Sequence, residues 1–225
     1  MEQPLFRRIA KMLVGADLGT EATATAIVTI GFAHPLLFTL TWIFLLTTCT
    51  RVVVSEIERG TADLLLALPV SRETVYASFT VVWVAAGIPI SLAPLCGAWL
   101  GESVAPLWEP LDLSRLAILI VNLLALYLVV GSATVFVSTL VTRRGSAIAI
   151  VLAWLLGSFL LNFLALSWST AKAIAFIGVL HYYRPLPVIR SGEWPIGNIT
   201  VLVAAAVGFW LAGRWQFARR DIPAA

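Results

Sequence analysis

Five apolar runs, near 35–54, 75–100, 116–141, 146–167 and 199–215, constrain this chain more than any other feature. A bilayer's hydrocarbon core is about 30 Å thick, and a helix rising about 1.5 Å per residue needs about 20 residues to cross it. Each run is near or above that length, and the runs hold almost no Asp, Glu, Lys or Arg. Of the 225 residues, 60% are hydrophobic and only 12% charged, about half the charge of an ordinary soluble domain. The expected fold is therefore an all-α membrane protein, a polytopic helical bundle with about five transmembrane helices and lipid as its solvent. A formal charge of +3 is too small an excess to imply a nucleic-acid partner.

Local signals refine the spans. Pro35 opens the first run at a helix-start position, where its missing N–H costs nothing, and His34 before it reads as a helix-start residue at the interface. The second run contains Gly87, Pro89 and Pro94, which predict a kink or a broken helix near Gly97. Residues 1–33 form a separate N-terminal segment ahead of the transmembrane domain at 34–225. Within it Leu5, Phe6, Ile9, Met12 and Leu13 share one helical face and Arg7, Arg8 and Lys11 the other, as in a helix lying in the membrane interface. The same charges interrupt it too often for a cleavable signal. Residues 21–33, with Thr20 as a cap, read equally as a short surface helix or as an extension of the first span. A second interfacial helix is expected at 171–180, and Trp99, Trp108, Trp168 and Trp194 suit an aromatic belt at one membrane face. Gly131, Ser132 and Ala133 suit close helix packing, and Asn122 and Asn162 are expected to bond neighbouring helices.

Orientation follows from the arginines. Alternating spans place Arg51, Arg59, Arg72, Arg143, Arg144, Arg214, Arg219 and Arg220 on one side. The other side receives Arg115, Lys172, Arg184 and Arg190, once the N-terminal amphipathic segment is set aside. The excess of basic residues marks the first side as cytoplasmic and the N-terminus as external.

The densest polar stretch lies on that cytoplasmic side, from Ser55 to Arg72, and holds Glu56, Glu58, Arg59, Asp63 and Arg72. Charges at that density belong in water. Gly60 breaks the preceding helix, Thr61 caps a new one, and Leu64, Leu65 and Leu68 belong to a short leucine-rich helix stopped by Pro69. Ser71 then caps the next span, with Glu73 near its positive end. A short capped helix across the mouth of two spans is a docking element; the simpler alternative is a well-capped turn.

Catalytic chemistry is not expected. The chain contains no G-x-x-x-x-G-K-[ST] phosphate loop, so ATP-driven work would fall to a partner. His34 and His181 lack the neighbours a metal site needs. His181 with Tyr182, Tyr183 and Arg184 reads as an interfacial aromatic cluster before a substrate contact. Spans without ionisable residues also speak against an ion-coupled carrier.

The Ser55–Arg72 stretch resembles the signature loop of type-2 ABC transporter permeases: a carboxylate pair, Arg-Gly-Thr, a leucine run, then Pro-x-Ser-Arg. Glu56, Glu58, Arg59, Gly60, Thr61, Leu65, Pro69, Ser71 and Arg72 fit that pattern. Arg143-Arg144, Tyr182-Tyr183-Arg184-Pro185 and the terminal FARRDI extend the likeness over most of the chain. The resemblance implies a bacterial-type inner (plasma) membrane subunit that forms a homo- or heterodimer and docks on a separate ABC ATPase, which binds the ATP and Mg. The loop would be a cytoplasmic coupling helix, and the apolar spans suggest export of a hydrophobic or amphipathic substrate. The family pattern has six helices, so a first helix is expected to be missing from the five found here. The rival readings are a membrane scaffold or assembly protein and, behind it, an ion-coupled carrier.

Overall fold

The computed structural model describes residues 24–51, 71–104 and 111–219. Among them the secondary structure is wholly helical. Four helices are long and apolar enough to cross a membrane: α3 (Arg72–Val104), α4 (Leu113–Leu140), α5 (Arg144–Leu164) and α8 (Ile196–Arg219). Two shorter helices, α1 (Ala24–Ala33) and α2 (Pro35–Cys49), precede them. Between α5 and α8 lie α6 (Ser169–Ile174), two short 3-10 turns (Ala175–Ile177 and Val179–Tyr182) and α7 (Pro185–Ser191). The expected interfacial helix at 171–180 is thus one turn and a half of α-helix followed by tighter turns.

The core sits on α4. It buries residues all round its circumference, from Leu116 through Tyr127 and Val135 to Thr139, as a helix enclosed by others must. Its neighbours are α1, α2, α3, α5, α7 and α8. Two glycines set the α3–α4 approach. A Cβ on Gly131 would lie 2.5 Å from the Trp83 ring, and a Cβ on Gly87 would lie 2.5 Å from the Tyr127 ring. Each helix therefore lends a groove to the other's aromatic side chain, and the order of the contacts makes the pair antiparallel. The Tyr127 hydroxyl donates to the Trp83 carbonyl at 2.6 Å. Small residues at the seam hold membrane helices close where hydrophobic burial between them gains little, and Gly87 and Gly131 do so here, while Ser132 and Ala133 beside Gly131 are buried.

The α4–α8 pair runs parallel. Arg115, near the start of α4, donates to the Ile189 carbonyl at 2.7 Å, just ahead of α8. At the far end a Cβ on Gly213 would meet the Phe136 backbone at 3.3 Å and the Tyr76 hydroxyl at 2.6 Å. Tyr76 ties α3 to α8 by donating to the Trp210 carbonyl at 2.9 Å, and Trp210 Nε1 donates to Thr80 Oγ1 at 3.1 Å.

Two expectations need correction. Of the two alternatives expected for the second span, a kink or a break, the break near Gly97 does not occur: α3 runs through Pro89, Pro94 and Gly97 to Val104. Each proline forfeits only the bond to the carbonyl four residues earlier, of Ala85 or Ile90. Abandoning the helix would expose many more backbone groups to hydrocarbon. In the first span the α-type helix α2 ends at Cys49 with Thr50 as its C-cap, and residues 52–54 of the expected 35–54 run lie outside the described residues. The Thr50 hydroxyl bonds the Leu46 carbonyl at 2.6 Å, and the Thr47 hydroxyl bonds those of Ile43 and Phe44. Side chains thus take the carbonyls of the last turns. Asn122, expected to bond a neighbouring helix, is fully buried with neither amide atom hydrogen-bonded.

The described part of the 21–33 segment, residues 24–33, open in the sequence, proves to be part of the bundle. Thr29 and Phe32 are fully buried, and α1 packs on α3, α4 and α7. His34 joins α1 to α2 as expected of a helix start, its ring Nδ1 accepting from the Leu36 amide at 3.2 Å. That amide would otherwise serve the Phe32 carbonyl, which instead accepts from the Tyr183 hydroxyl at 3.0 Å.

Candidate coupling face

The candidate loop residues Glu56, Glu58, Arg59, Gly60, Thr61, Leu64, Leu65, Leu68 and Pro69 lie outside the described residues, as do the amphipathic 5–14 segment and the C-terminal 220–225. The flanks of the loop are described, and they meet at one end of the bundle.

On the entering side, Arg144 at the start of α5 donates to Thr50 Oγ1 at 3.0 Å and to the Thr47 carbonyl at 3.2 Å. A cation at a helix C-terminus answers the partial negative charge there, and its fork bonds two oxygens that the helix leaves available. On the leaving side, Ser71 Oγ accepts from the Thr74 amide at 3.1 Å, the N-cap expected from the sequence. Arg72 opens α3 beside it and also has an interaction partner. Glu73, in the first turn, pairs with Arg214 at 3.0 Å. Both groups are well exposed, so the pair orients the two helices more than it stabilises them. Around it Tyr76 lies against Phe217, and Arg219 stacks over Trp215 at 4.4 Å.

Sequence reasoning found Ser71 and Arg72 but gave Arg144, Glu73 and Arg214 no joint role. The clamp spans 94 residues and the ion pair 141. Neither separation leaves a local signature.

The opposite end carries the exposed tryptophans Trp99, Trp168 and Trp194. Asp112 caps α4 by accepting from the Ser114 and Arg115 amides. The Ser114 hydroxyl, then the Arg115 amide, hold its carboxyl below the usual aspartate range. The HYYR run forms a bonded cluster. Arg184 reaches His181 Nδ1 at 2.8 Å and the His181 carbonyl at 3.0 Å. Tyr182 bonds the Phe176 carbonyl and Tyr183 that of Phe32. Burial pushes the Tyr183 phenol up. Burial first, then the Arg184 charge, lowers the His181 pKa. Each of the four side chains in this cluster has a protein partner, which supports its reading as structure before substrate contact.

The fold and these two chemically distinct ends define a polytopic helical membrane protein. The chain belongs to the family described as "Protein of unknown function (DUF2705)", which matches residues 12–223. No curated protein and no solved structure matches it.

Proposed function

We propose that this chain is the membrane subunit of an ATP-driven exporter, working as a dimer with a separate ATPase that binds ATP and Mg. The Ser55–Arg72 loop is its coupling segment, on the cytoplasmic side of a bacterial-type inner membrane. The observation that carries this reading is the permease-like SEIERGTADLLLALPVSR stretch, supported by its flanks. Those flanks are fixed to different helices at one end of the bundle, through Arg144 on α2 and through Glu73 and Arg214 between α3 and α8. Arg51, Arg143 and Arg219 stand at the same end, which accords with a cytoplasmic face. In this reading the leucine face of 62–68 enters a groove of the ATPase, and Glu56, Glu58, Arg59 and Arg72 set its register. Closure of the ATPase dimer tilts the spans and switches access for a hydrophobic or amphipathic substrate.

The test is co-purification of the detergent-solubilised chain from its host, as wild type, Arg59→Glu and Leu65→Asp. A P-loop ATPase that accompanies wild type and is lost from both variants, with membrane insertion unchanged, is the expected result. An ATPase retained by Leu65→Asp, or absent throughout, overturns the reading and favours a scaffold.

A further inference from the structure

A groove of about 430 Å³ lies between the last turns of α3 and the start of α4, lined by Leu95, Cys96, Trp99, Glu102, Leu111 and Leu113. Its volume falls within the roughly 300–1,000 Å³ of small-molecule sites. Leu95, Trp99 and Glu102 stand at i, i+4 and i+7, so one face of α3 runs from an apolar floor through an indole to a carboxylate. Trp99 is 67% exposed and Leu113 65%, so the groove opens sideways from the bundle at the end bearing Trp168 and Trp194. Glu102 is half-buried, and among the described residues it has no ion-pair partner. The nearest basic side chain in sequence, Arg115, is paired with Asp112 at 3.0 Å and bonded to the Ile189 carbonyl.

From this arrangement we infer that the groove binds a bilayer lipid with a primary-ammonium headgroup. The acyl chain lies along Leu95, Leu111 and Leu113. The ammonium sits between the Trp99 ring and the Glu102 carboxylate, an aromatic face and an anion that both attract a cation. Charge selects the occupant: an anionic headgroup would meet the Glu102 carboxylate, the one charged group among the described lining residues, whereas an ammonium neutralises it. The inference is independent of the export reading, since a lipid seat serves a scaffold equally well.

Cys96 provides the readout, because it is exposed in the groove while Cys49, the other cysteine, is buried. The full-length protein in detergent is titrated with phosphatidylethanolamine, and the alkylation rate of Cys96 is followed by mass spectrometry. Phosphatidylethanolamine should slow alkylation saturably, and phosphatidylglycerol with the same chains should not. Glu102→Gln should weaken this protection about tenfold, as loss of one partly desolvated charge contact implies. With the wild type alone, N-acetylated phosphatidylethanolamine keeps the phosphate but lacks the ammonium, and should not protect; this arm holds even if the variant misfolds. Equal protection by phosphatidylglycerol or by the N-acetylated lipid overturns the inference. So does protection by dodecylamine without protection by phosphatidylethanolamine, which would assign the groove to soluble cationic amphiphiles.

Discussion

Substituting Gly131 by alanine should destabilise this protein, whereas the same change at Gly157 should not. A Cβ on Gly131 would meet three atoms of the Trp83 benzo ring at 2.5, 2.8 and 3.1 Å, where ordinary contacts begin at 3.4 Å. The ring must move by about 1 Å, and little room exists for that. Trp83 is 1% exposed, Tyr127 lies against it at 6.1 Å between ring centroids, and its carbonyl holds the Tyr127 hydroxyl. Overpacking of this kind costs about 1–3 kcal/mol. Replacing glycine by alanine in a helix returns about 1 kcal/mol. The net loss is therefore about 1 kcal/mol, rising well beyond that for Gly131→Leu. Gly157 on α5 has nothing within 4 Å of its Cβ position, so only the propensity gain applies. Reversible unfolding in mixed micelles, scored as the shift in midpoint, measures both. Trp83→Leu removes the obstructing ring, so Gly131→Ala should cost less in that background, a coupling of about 1 kcal/mol or more. A stabilising Gly131→Ala, or strict additivity with Trp83→Leu, would refute the packing assigned to this seam.

Two further outcomes follow from the two ends of the bundle. Arg144→Met removes both bonds to the end of α2, and hydrogen bonds to charged groups contribute about 1.5–3 kcal/mol. The transition midpoint should fall, and amides at 47–50 should exchange faster by mass spectrometry; unchanged exchange there would show that the clamp does not hold α2. The His181–Arg184 contact requires an unprotonated Nδ1. The folded state lowers the His181 pKa below its ordinary 6.5, so the unfolded chain binds the proton more readily. The contact's contribution is then present above about pH 6.5 and is lost as pH falls through the lowered value. Wild type should lose stability more steeply than His181→Gln between about pH 7 and 5, and parallel profiles for the two would discount the contact.

Features that depend on a few neighbouring residues could be read directly from the chain. The cores of the long spans follow from run length, and the caps His34 and Ser71 from their position before an apolar stretch. What escaped depends on long-range packing or on the solvent. Pro89 and Pro94 are breakers by local rules, yet in hydrocarbon a continuous helix missing two bonds costs less than an open one. The 24–33 segment alternates small polar and apolar residues, and its place inside the bundle is fixed by Tyr183, about 150 residues away. Asn122 looked like a bonded residue because polar groups in spans usually are; its surroundings on α4 supply no partner. The candidate loop was the most legible motif in the sequence, but most of its residues lie outside the described structure. Of the loop residues only Ser71 and Arg72, on its leaving flank, are described.

Those flanks carry a mechanical implication for the proposed coupling role. A segment that transmits movement must be joined stiffly to the elements it moves, or its displacement is absorbed locally. Arg144 links the end of α2 to the start of α5, while the Glu73–Arg214 and Tyr76–Trp210 contacts link the start of α3 to the end of α8. All four of these helices pack on α4. A push on the Ser55–Arg72 loop would thus reach α2 and α3 directly, α5 through Arg144, and α8 through the Glu73–Arg214 and Tyr76–Trp210 contacts. The buried α4 between them would act as the common pivot. The exposed Glu73–Arg214 pair is weak enough to break and re-form as α3 and α8 shift. The Tyr76–Trp210 bond, one turn deeper at 2.9 Å, would hold the two helices in register while that happens.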